Sequence, residues 1–566
     1  MRTPELATAV DHWSLPGGSF DPALLTAHDE AETFPAEACA ALDHWGLPDY
    51  YIPAAYGGRL ERMDEMHALL RTVASRDLTV AVAHGKTFLG AAPVWASGDT
   101  DTAVRLARHI AAGEAVAWGL TEPGGGSDLL AGELTATRRG SGWRLSGRKW
   151  PVNNATRGRF ATVLARTDPK GGPRGFSLFL VDKSAIAPGT ARPLPKMPTH
   201  GIRGADISGV EFHDAHVPGH ALVGAVGAGL ELVLKALQLT RVACVALSLG
   251  AGDHALRLAR SFLLERRLHG RGLAELPHAR VTAGEAVARL LLAEAVSYTA
   301  ARAVHEIPEE LSLVSAVTKA FVPTLVQGQL RLVADLLGAR GFLTEVAGYG
   351  GFAKVERDHQ IVSIFDGSTW VNRSALAASL PLLRPGRGRV PTARRPVSEW
   401  LSHEAEPAPL DPLRLGVMAR GDSILSGLDD LVTGLAADTS GATGRMATEL
   451  LEAYGALTER VARLRPSAGA PDTATMRLAE RYEWCFAGAA AIALWNANPQ
   501  CHDRPGWRDG MWLRGCLALV LNVLGPRTPR AHGIFDELCD HLLSEEGTHA
   551  SLWGGSTVAP VGVVLG

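Results

Sequence analysis

The stretch Trp118-Gly-Leu-Thr-Glu-Pro-Gly-Gly-Gly-Ser-Asp128 decides how the rest of the chain is interpreted. Three consecutive glycines, Gly124 to Gly126, allow a tight turn whose backbone N–H groups can approach a ligand closely. Ser127 adds a hydroxyl directly after them. A loop of this kind can cradle a phosphate group, although glycines followed by a serine also form ordinary flexible turns.

A second stretch, Ile364-Phe-Asp-Gly-Ser-Thr-Trp-Val-Asn-Arg373, places an acid on a glycine-containing turn before a helical run at residues 374–380. An acid beside a glycine at the start of a helix commonly caps that helix. The functional alternative is a carboxylate base at the mouth of a pocket. Asp366 is the only acid in this stretch, so that chemistry would rest on it.

Composition excludes several classes of protein. The chain has 566 residues, of which 46% are hydrophobic, so two to four domains with sizeable cores are expected. A net charge of −3 does not favour a nucleic-acid partner, which usually needs a basic face. We find no run of about 18 apolar residues and no leader with a basic and then an apolar part, so neither a membrane span nor a secretion signal is expected.

The cysteines favour a reducing compartment. None of the six forms a CxxC pair, and in a chain of this length they are expected to be buried thiols of a cytoplasmic protein. A Cys485–Cys501 disulfide is the minor alternative. No metal site is predicted.

The residue pattern changes along the chain and divides it into units. Helical periodicity gives way to short alternating runs with a hairpin signal at residues 138–141, and then returns. A Pro/Gly/Arg-rich linker precedes a last helical unit. The predicted units are an N-terminal helical domain, a small β domain, a helical bundle, the linker and a C-terminal helical extension, at residues 1–114, 115–222, 223–384, 385–396 and 397–566. Helices of the bundle are predicted at residues 230–249, 254–264, 281–305, 315–337 and 374–380.

Together, the two stretches resemble the acyl-CoA dehydrogenase family of flavoproteins. The order of a helix, Pro53-x-x-Tyr-Gly-Gly58, a second helix and Arg76-Asp77 is also similar to that family, and the resemblance reaches the start of the linker. It implies an α+β, mainly α fold in which a helical domain, a small β-barrel and a four-helix bundle follow one another. A longer branch, which handles long acyl chains, carries a helical extension like the one predicted here.

The resemblance implies flavin adenine dinucleotide (FAD) as cofactor. In the family, the residues matching Leu120 and Thr121 contact the flavin pyrimidine ring, and those matching Gly126 and Ser127 contact the pyrophosphate. Ser127 would also touch the pantetheine arm of the substrate. Further cofactor contacts are implied at Trp118, Val152, Asn153, Arg266, His269, Asp335, Gly338, Ser368 and Trp370.

Several of these positions depart from the family pattern. The family typically has Trp-Ile-Thr where this chain has Pro151, Val152 and Asn153, with Trp150 one place early. The amide of Asn153 can donate a hydrogen bond to flavin N5. His269 replaces an aromatic residue. Arg266 would reach the FAD of a neighbouring subunit, which implies a homodimer.

The resemblance assigns the reaction to Asp366. The family base at this position is usually Glu, in a Tyr-Glu-Gly-Thr pattern, so the base here is one methylene shorter. It would remove the α proton of an acyl thioester while the β hydrogen leaves as hydride to flavin N5, giving a 2-enoyl thioester. Gln238, Arg241 and Gly367 are the other implied substrate contacts. Coenzyme A or an acyl carrier protein would carry the acyl group, and an electron-transfer flavoprotein or oxygen would accept the electrons.

Other functions stay open. A related oxidase of this fold, acting on nitroalkanes, uses Asp at the position of Asp366. Changes around N5 are also compatible with flavin oxidase or monooxygenase chemistry, and a degenerate member would be a binding or assembly protein. A soluble cytoplasmic protein without a membrane partner is expected, because residues 400–441 hold more acids than bases and no cationic amphipathic face.

Overall fold

The N-terminal domain consists of six helices, three of which begin at an aspartate cap. The computed structural model describes residues 2–344, 350–383, 395–419, 421–435, 441–465, 469–504, 507–525, 532–544 and 552, so most of the predicted linker lies outside the described residues. Asp77 caps α5 by accepting from the Val80 N–H, and Asp99 caps α6 in the same way. The helices are α1 Thr3–Trp13, α2 Pro22–Glu30, α3 Ala36–Trp45, α4 Met63–Ala74, α5 Leu78–Trp95 and α6 Thr100–Ala111.

The β domain is an eight-stranded sheet with its own core. The strand order is β6-β7-β3-β2-β4-β5-β8, and β1 pairs in parallel with β4. The predicted hairpin joins β2 and β3, with Arg139 opposite Gly142. Buried apolar side chains such as Leu145 and Phe179 form a core separate from that of the helices. The strands are β1 Val116–Gly119, β2 Thr135–Arg139, β3 Gly142–Asn153, β4 Phe160–Arg166, β5 Phe176–Asp182, β6 Ala191–Leu194, β7 Ile207–Pro218 and β8 Leu222–Val223.

Long helices build the bundle that follows. One 37-residue helix, α7, replaces the two predicted at 230–249 and 254–264, and that prediction is wrong. Gly250 and Gly252 lie between the two predicted helices and are buried. A Cβ at Gly250 would lie 2.5 Å from Ala74 Cβ, so glycine here permits close packing of α4. The elements are α7 Gly229–Glu265, β9 Arg267–Leu268, β10 Arg271–Gly272, α8 Pro277–Glu306, α9 Leu311–Leu337, α10 Ala339–Phe342, α11 Gly350–His359 and α12 Thr369–Ser379.

The C-terminal extension shares one continuous core with the bundle. Helix α16 packs against α8, α9 and α12, while α17 and α18 pack against α8. A bidentate ion pair joins Arg373 of α12 to the buried Glu483 of α16, with N–O distances of 2.8 and 2.7 Å. The helices are α13 Val397–Trp400, α14 Leu428–Leu435, α15 Gly441–Ala462, α16 Thr473–Asn496, α17 Met511–Leu524 and α18 His532–Leu543.

Within the described residues, two helices are long and apolar enough to cross a membrane, whereas the sequence led us to expect none. They are Gly229–Glu265 and Pro308–Leu337, the second counted with the short turn before α9. In each, most of the apolar window is buried inside the protein, 83% and 78% respectively. These two helices are therefore core elements of the bundle.

Candidate active site

The loop before α12 carries Asp366 in a left-handed conformation. Ser368, and not Asp366, caps the helix by accepting from the Val371 N–H, so the capping interpretation of the acid is wrong. Asp366 and Gly367 have φ values of +53° and +87°. A Cβ at position 367 would lie 3.3 Å from a terminal nitrogen of Arg241, so glycine is needed for both its backbone angle and its space.

Lys319 of α9 holds this loop through hydrogen bonds to its main-chain oxygens. Its Nζ donates to the carbonyl oxygens of Val362 at 2.6 Å and Phe365 at 2.8 Å, and it lies 3.4 Å from that of Gly367. The side chain is fully buried, and burial lowers its pKa to about 8. The lysine replaces water as the donor to these carbonyls, and so fixes the segment that contains Asp366.

The carboxylate of Asp366 is bound through one oxygen. Lys86 Nζ of α5 lies 2.9 Å from Oδ2, and Cys244 of α7 donates its S–H to the same atom at 3.0 Å. Oδ1 has no partner among the described residues. Burial alone would raise the pKa of Asp366, but the charge of Lys86 and the hydrogen bonds from Cys244 and Lys86 keep that pKa below its ordinary value. The result is an ionised carboxylate with one free oxygen.

Arg241 of α7 presents unused donors beside this carboxylate. Its Nε donates to the main-chain oxygen of Asp366 at 3.3 Å, while its terminal nitrogens have no acceptor among the described residues. Burial lowers the pKa of Arg241 to about 10, against the opposing charge of Asp366. The Asp366 N–H is likewise unpaired within the described part of the chain. These N–H groups can receive a negatively charged oxygen.

The glycine-rich loop is tied to the sheet through Glu122. Its carboxylate accepts from the N–H groups of Glu133 at 2.7 Å and Leu134 at 3.2 Å, and from Lys149 Nζ at 2.6 Å. Lys149 is 1% exposed and also donates to the Leu120 oxygen at 3.1 Å. Trp150 N–H donates to the Thr121 oxygen at 2.9 Å, so both ends of the Leu120–Glu122 segment are attached to β3.

Three buried polar atoms at or beside the predicted flavin contacts have no hydrogen-bond partner in the part of the chain that the structure describes. They are Trp118 Nε1 on β1, Asn153 Oδ1 at the end of β3 and Thr369 Oγ1 at the start of α12. Buried polar atoms are normally hydrogen-bonded. A Cβ added at Gly124 or Gly126 would meet nothing within 4 Å, so the loop is open to a ligand. Both observations fit a large polar cofactor such as FAD.

Helix α5 connects the two halves of the site. Asn153 Nδ2 donates to the Val82 oxygen at 3.4 Å, and Lys86, four residues later, binds Asp366. Four residues correspond to about 6 Å along a helix axis. The predicted contact of flavin N5 and the predicted base therefore lie about one helical turn apart along α5.

The remaining predicted contacts have varied surroundings. Trp370 is 69% exposed in the single chain, and His269 is exposed in the β9–β10 hairpin with φ +51°. The Arg266 guanidinium has no partner among the described residues. Their roles stay predictions, as do those of the other implied cofactor contacts: exposed Gly126, Ser127, Asp335 and Gly338, half-buried Leu120, Thr121 and Ser368, and buried Val152.

Gln238 lies under the C-terminal extension. Its amide donates to the Gly416 oxygen at 2.7 Å, and the residue is 2% exposed. Its Oε1 is buried and has no partner among the described residues. Because Gly416 covers the amide nitrogen, any contact with the substrate is limited to this oxygen or requires movement of the extension.

Sequence reasoning missed Lys86, Cys244, Lys319 and Thr369 as site residues. Lys319 did carry a signal, as a single lysine in the apolar run Leu313–Val322. A charged residue on a buried face is rarely present without a partner. Lys86 and Cys244 could not be assigned from the sequence, because only the fold brings α5 and α7 to Asp366.

Replacement of Lys319 by methionine is expected to lower the free energy of unfolding by about 2–4 kcal/mol, because at least two buried carbonyls lose their donor. Urea unfolding of the FAD-loaded protein would measure this. Lys170→Met is the control, since Lys170 is exposed, and it should change stability by less than about 0.5 kcal/mol. Equal stability of the two variants would show that Lys319 does not hold the loop.

Comparison with known proteins shows which family the chain resembles. The sequence matches the family description "Acyl-CoA dehydrogenase, middle domain" over residues 117–215 and "Acyl-CoA dehydrogenase, C-terminal domain" over residues 227–380. It is 26% identical over 355 residues to the probable acyl-CoA dehydrogenase FadE25 of Mycobacterium tuberculosis, covering 62% of this chain and 89% of that protein. It is equally 26% identical over 360 residues to cyclohex-1-ene-1-carbonyl-CoA dehydrogenase of Geobacter metallireducens, covering 62% and 91%.

A solved structure extends the likeness to the C-terminal extension. The FAD complex of an acyl-CoA dehydrogenase from Bacillus anthracis superposes with a TM-score of 0.71 and 17% identity, over 96% of this chain and 95% of that one. The fold thus includes the extension, and the predicted α+β, mainly α fold class is confirmed.

The matched domains and relatives indicate a flavin-dependent oxidoreductase. The chain belongs to the acyl-CoA dehydrogenase family, and FAD is its cofactor.

Proposed function

We propose that this protein removes one α and one β hydrogen from an acyl thioester to give the 2-enoyl thioester, with Asp366 as the base. The observation that carries this proposal is the carboxylate of Asp366, whose Oδ2 is held by Lys86 and Cys244 while Oδ1 is free. Lys86, which holds this carboxylate, lies about one turn along α5 from Val82, whose carbonyl oxygen accepts from Asn153. Such a carboxylate is oriented, ionised and available to take a proton.

Proton removal leaves negative charge on the thioester carbonyl oxygen, and this chain offers donors for it. The terminal nitrogens of Arg241 and the N–H of Asp366 are unpaired among the described residues, and Arg241 contacts the base loop through the main-chain oxygen of Asp366. Fixed donors of this kind stabilise developing charge more effectively than water does. Bound FAD would supply the acceptor for the β hydrogen, which leaves as hydride.

A second candidate is the oxidation of a more acidic carbon acid, such as a nitroalkane. It is favoured by the ion pair between Lys86 and Asp366, since a carboxylate with a lowered pKa is a weaker base. General-base catalysis is most effective when the base and the carbon acid are matched in strength. The choice between the two candidates depends on which substrates reduce the flavin.

The proposal extends to assembly and partners. The free guanidinium of Arg266 supports a homodimer in which each subunit contacts its neighbour's FAD, because a planar, multiply donating group suits a pyrophosphate. Coenzyme A or an acyl carrier protein would carry the substrate, since both present a pantetheine arm. An electron-transfer flavoprotein or oxygen would reoxidise the enzyme, and we propose that it works in the cytoplasm.

The purified protein is expected to contain close to one FAD per chain and to be a dimer. Flavin absorbance against protein concentration gives the first quantity, and light scattering gives the second. A colourless protein that cannot be reconstituted with FAD would favour a binding or assembly role. An FAD-loaded monomer would leave Arg266 without the proposed partner.

Anaerobic mixing with a panel of acyl thioesters and nitroalkanes tests the reaction itself. Loss of the flavin's visible absorbance is expected with at least one acyl thioester, together with its 2-enoyl product in mass spectrometry. Bleaching by nitroalkanes alone would support the second candidate. Bleaching by none of them, with FAD bound, would contradict both.

A further inference from the structure

Lys86 is the only lysine or arginine that forms an ion pair with Asp366 among the described residues, and it is itself fixed in place. Its side chain is 12% exposed, and its Nζ lies 3.5 Å from the ring centroid of Phe365, the residue before the base. A cation held over an aromatic face gains further attraction when it is shielded from water. Lys86 is therefore a rigid neighbour of the base and not a mobile surface lysine.

Both donors to the carboxylate use the same oxygen. Lys86 on α5 and Cys244 on α7 bind Oδ2 from two different helices, at 2.9 and 3.0 Å. Two contacts on one oxygen define the rotation of the carboxylate about its last bond, so Oδ1 points in one direction. A long side chain can explore several positions, whereas a short aspartate must be placed correctly by its surroundings.

We propose that Lys86 is a positioning residue for proton abstraction, acting with Cys244 to hold Asp366 by Oδ2 and to direct Oδ1 at the α carbon of the substrate. This inference rests on the proposed function of Asp366 as the base. Two other cationic side chains lie near the carboxylate, Lys319 of α9 and Arg241 of α7. Both donate to main-chain oxygens of the loop and not to the carboxylate oxygens of Asp366.

Two variants separate positioning from simple packing. Lys86→Met keeps much of the length and apolar stem but has no donor, while Lys86→Arg keeps a donor and a positive charge. Cys244→Ala removes the second contact with Oδ2. None of the three removes the base itself.

The first experiment follows the ionisation of Asp366 directly. Infrared difference spectra of the FAD-loaded protein labelled with carboxyl-¹³C aspartate, each taken against the matching Asp366→Asn protein, give the titration midpoint of this carboxyl without any substrate. The midpoint should move to higher pH by about one to two units in Lys86→Met, because a close positive charge is lost. It should move much less in Lys86→Arg. An unchanged midpoint in Lys86→Met would overturn the proposal.

The second experiment measures the direction of Oδ1. Exchange of α hydrogen for deuterium is followed by mass spectrometry, with whichever thioester of the panel bleaches the wild-type flavin, at a pH where Asp366 is ionised in every variant. Lys86→Met should exchange about 10–100-fold more slowly, since a misplacement of about 1 Å can cost that much. Lys86→Arg should recover most of the rate. Equal rates in wild type and Lys86→Met would also refute positioning.

The two proposals fail in different ways. If no thioester bleaches the wild-type flavin, the proposed function is wrong. The infrared midpoint still reports whether Lys86 controls the ionisation of Asp366. If acyl thioesters bleach the wild-type flavin and Lys86→Met exchanges the α hydrogen as fast as wild type does, the proposed function stands and the role of Lys86 is refuted.

Discussion

Replacing Asp366 by asparagine is expected to leave FAD bound and to slow its reduction by the acyl thioester by about 10²–10⁴-fold, the usual contribution of a positioned general base. Asparagine has nearly the same shape and can still meet Lys86 and Cys244, but it cannot accept the α proton. The substitution does not alter the glycine-rich loop, because Glu122 and Lys149, which attach that loop to the sheet, lie in another part of the structure. Anaerobic stopped-flow absorbance of the flavin measures the rate.

Asp366→Glu gives the sharper comparison. In a pocket for ordinary acyl thioesters the longer carboxylate should retain substantial activity, since glutamate is the usual base of the family. In a pocket shaped for a nitroalkane or for oxygen it should be poor. If Asp366→Asn reduces its flavin at the wild-type rate, the base is another acid, and the search should turn to the helices around Arg241.

Much of the fold followed from sequence patterns that report on local structure. The hairpin at residues 138–141 and the change from helical to alternating periodicity near residue 115 are local signals, and the strands β2 and β3 flank the hairpin as predicted. The division of α7 failed for a tertiary reason. Gly250 is a packing site against α4, and no local rule can distinguish such a glycine from a break.

The sequence predicted only those residues of the site that belong to recognisable single segments of the chain. Asp366, Arg241 and Gly367 lie together as the resemblance implied. The neighbours that set the charge and orientation of Asp366 come from α5, α7 and α9, so Lys86 and Lys319 depend on contacts between residues far apart in the chain. Gln238 shows the same limit, because its neighbour Gly416 belongs to the extension.

The sequence did not reveal the role of Glu122, although this residue belongs to the motif Trp118–Asp128. The sequence suggested that the glycines and Ser127 do the binding, and gave the acid no function. In the structure this carboxylate joins the loop to β3 through a buried ion pair with Lys149 and two N–H groups. Burial alone would raise the pKa of Glu122, but the charge of Lys149 and these hydrogen bonds lower it. The acid therefore shapes the loop that is predicted to receive FAD.

Glu122→Gln is therefore expected to weaken FAD binding at least about 10-fold and to destabilise the protein by about 3–5 kcal/mol, because Lys149 is left charged and buried without its counter-ion. Flavin fluorescence on dilution measures the affinity, and urea unfolding measures the stability. Glu114→Gln, at a partly exposed ion pair with Arg159, is the matched control and should lose no more than about 1 kcal/mol. The double variant Glu122→Gln with Lys149→Met should recover much of the loss, since it removes both buried charges. If Glu122→Gln binds FAD as tightly as wild type and unfolds at the same urea concentration, the ion pair does not hold the loop.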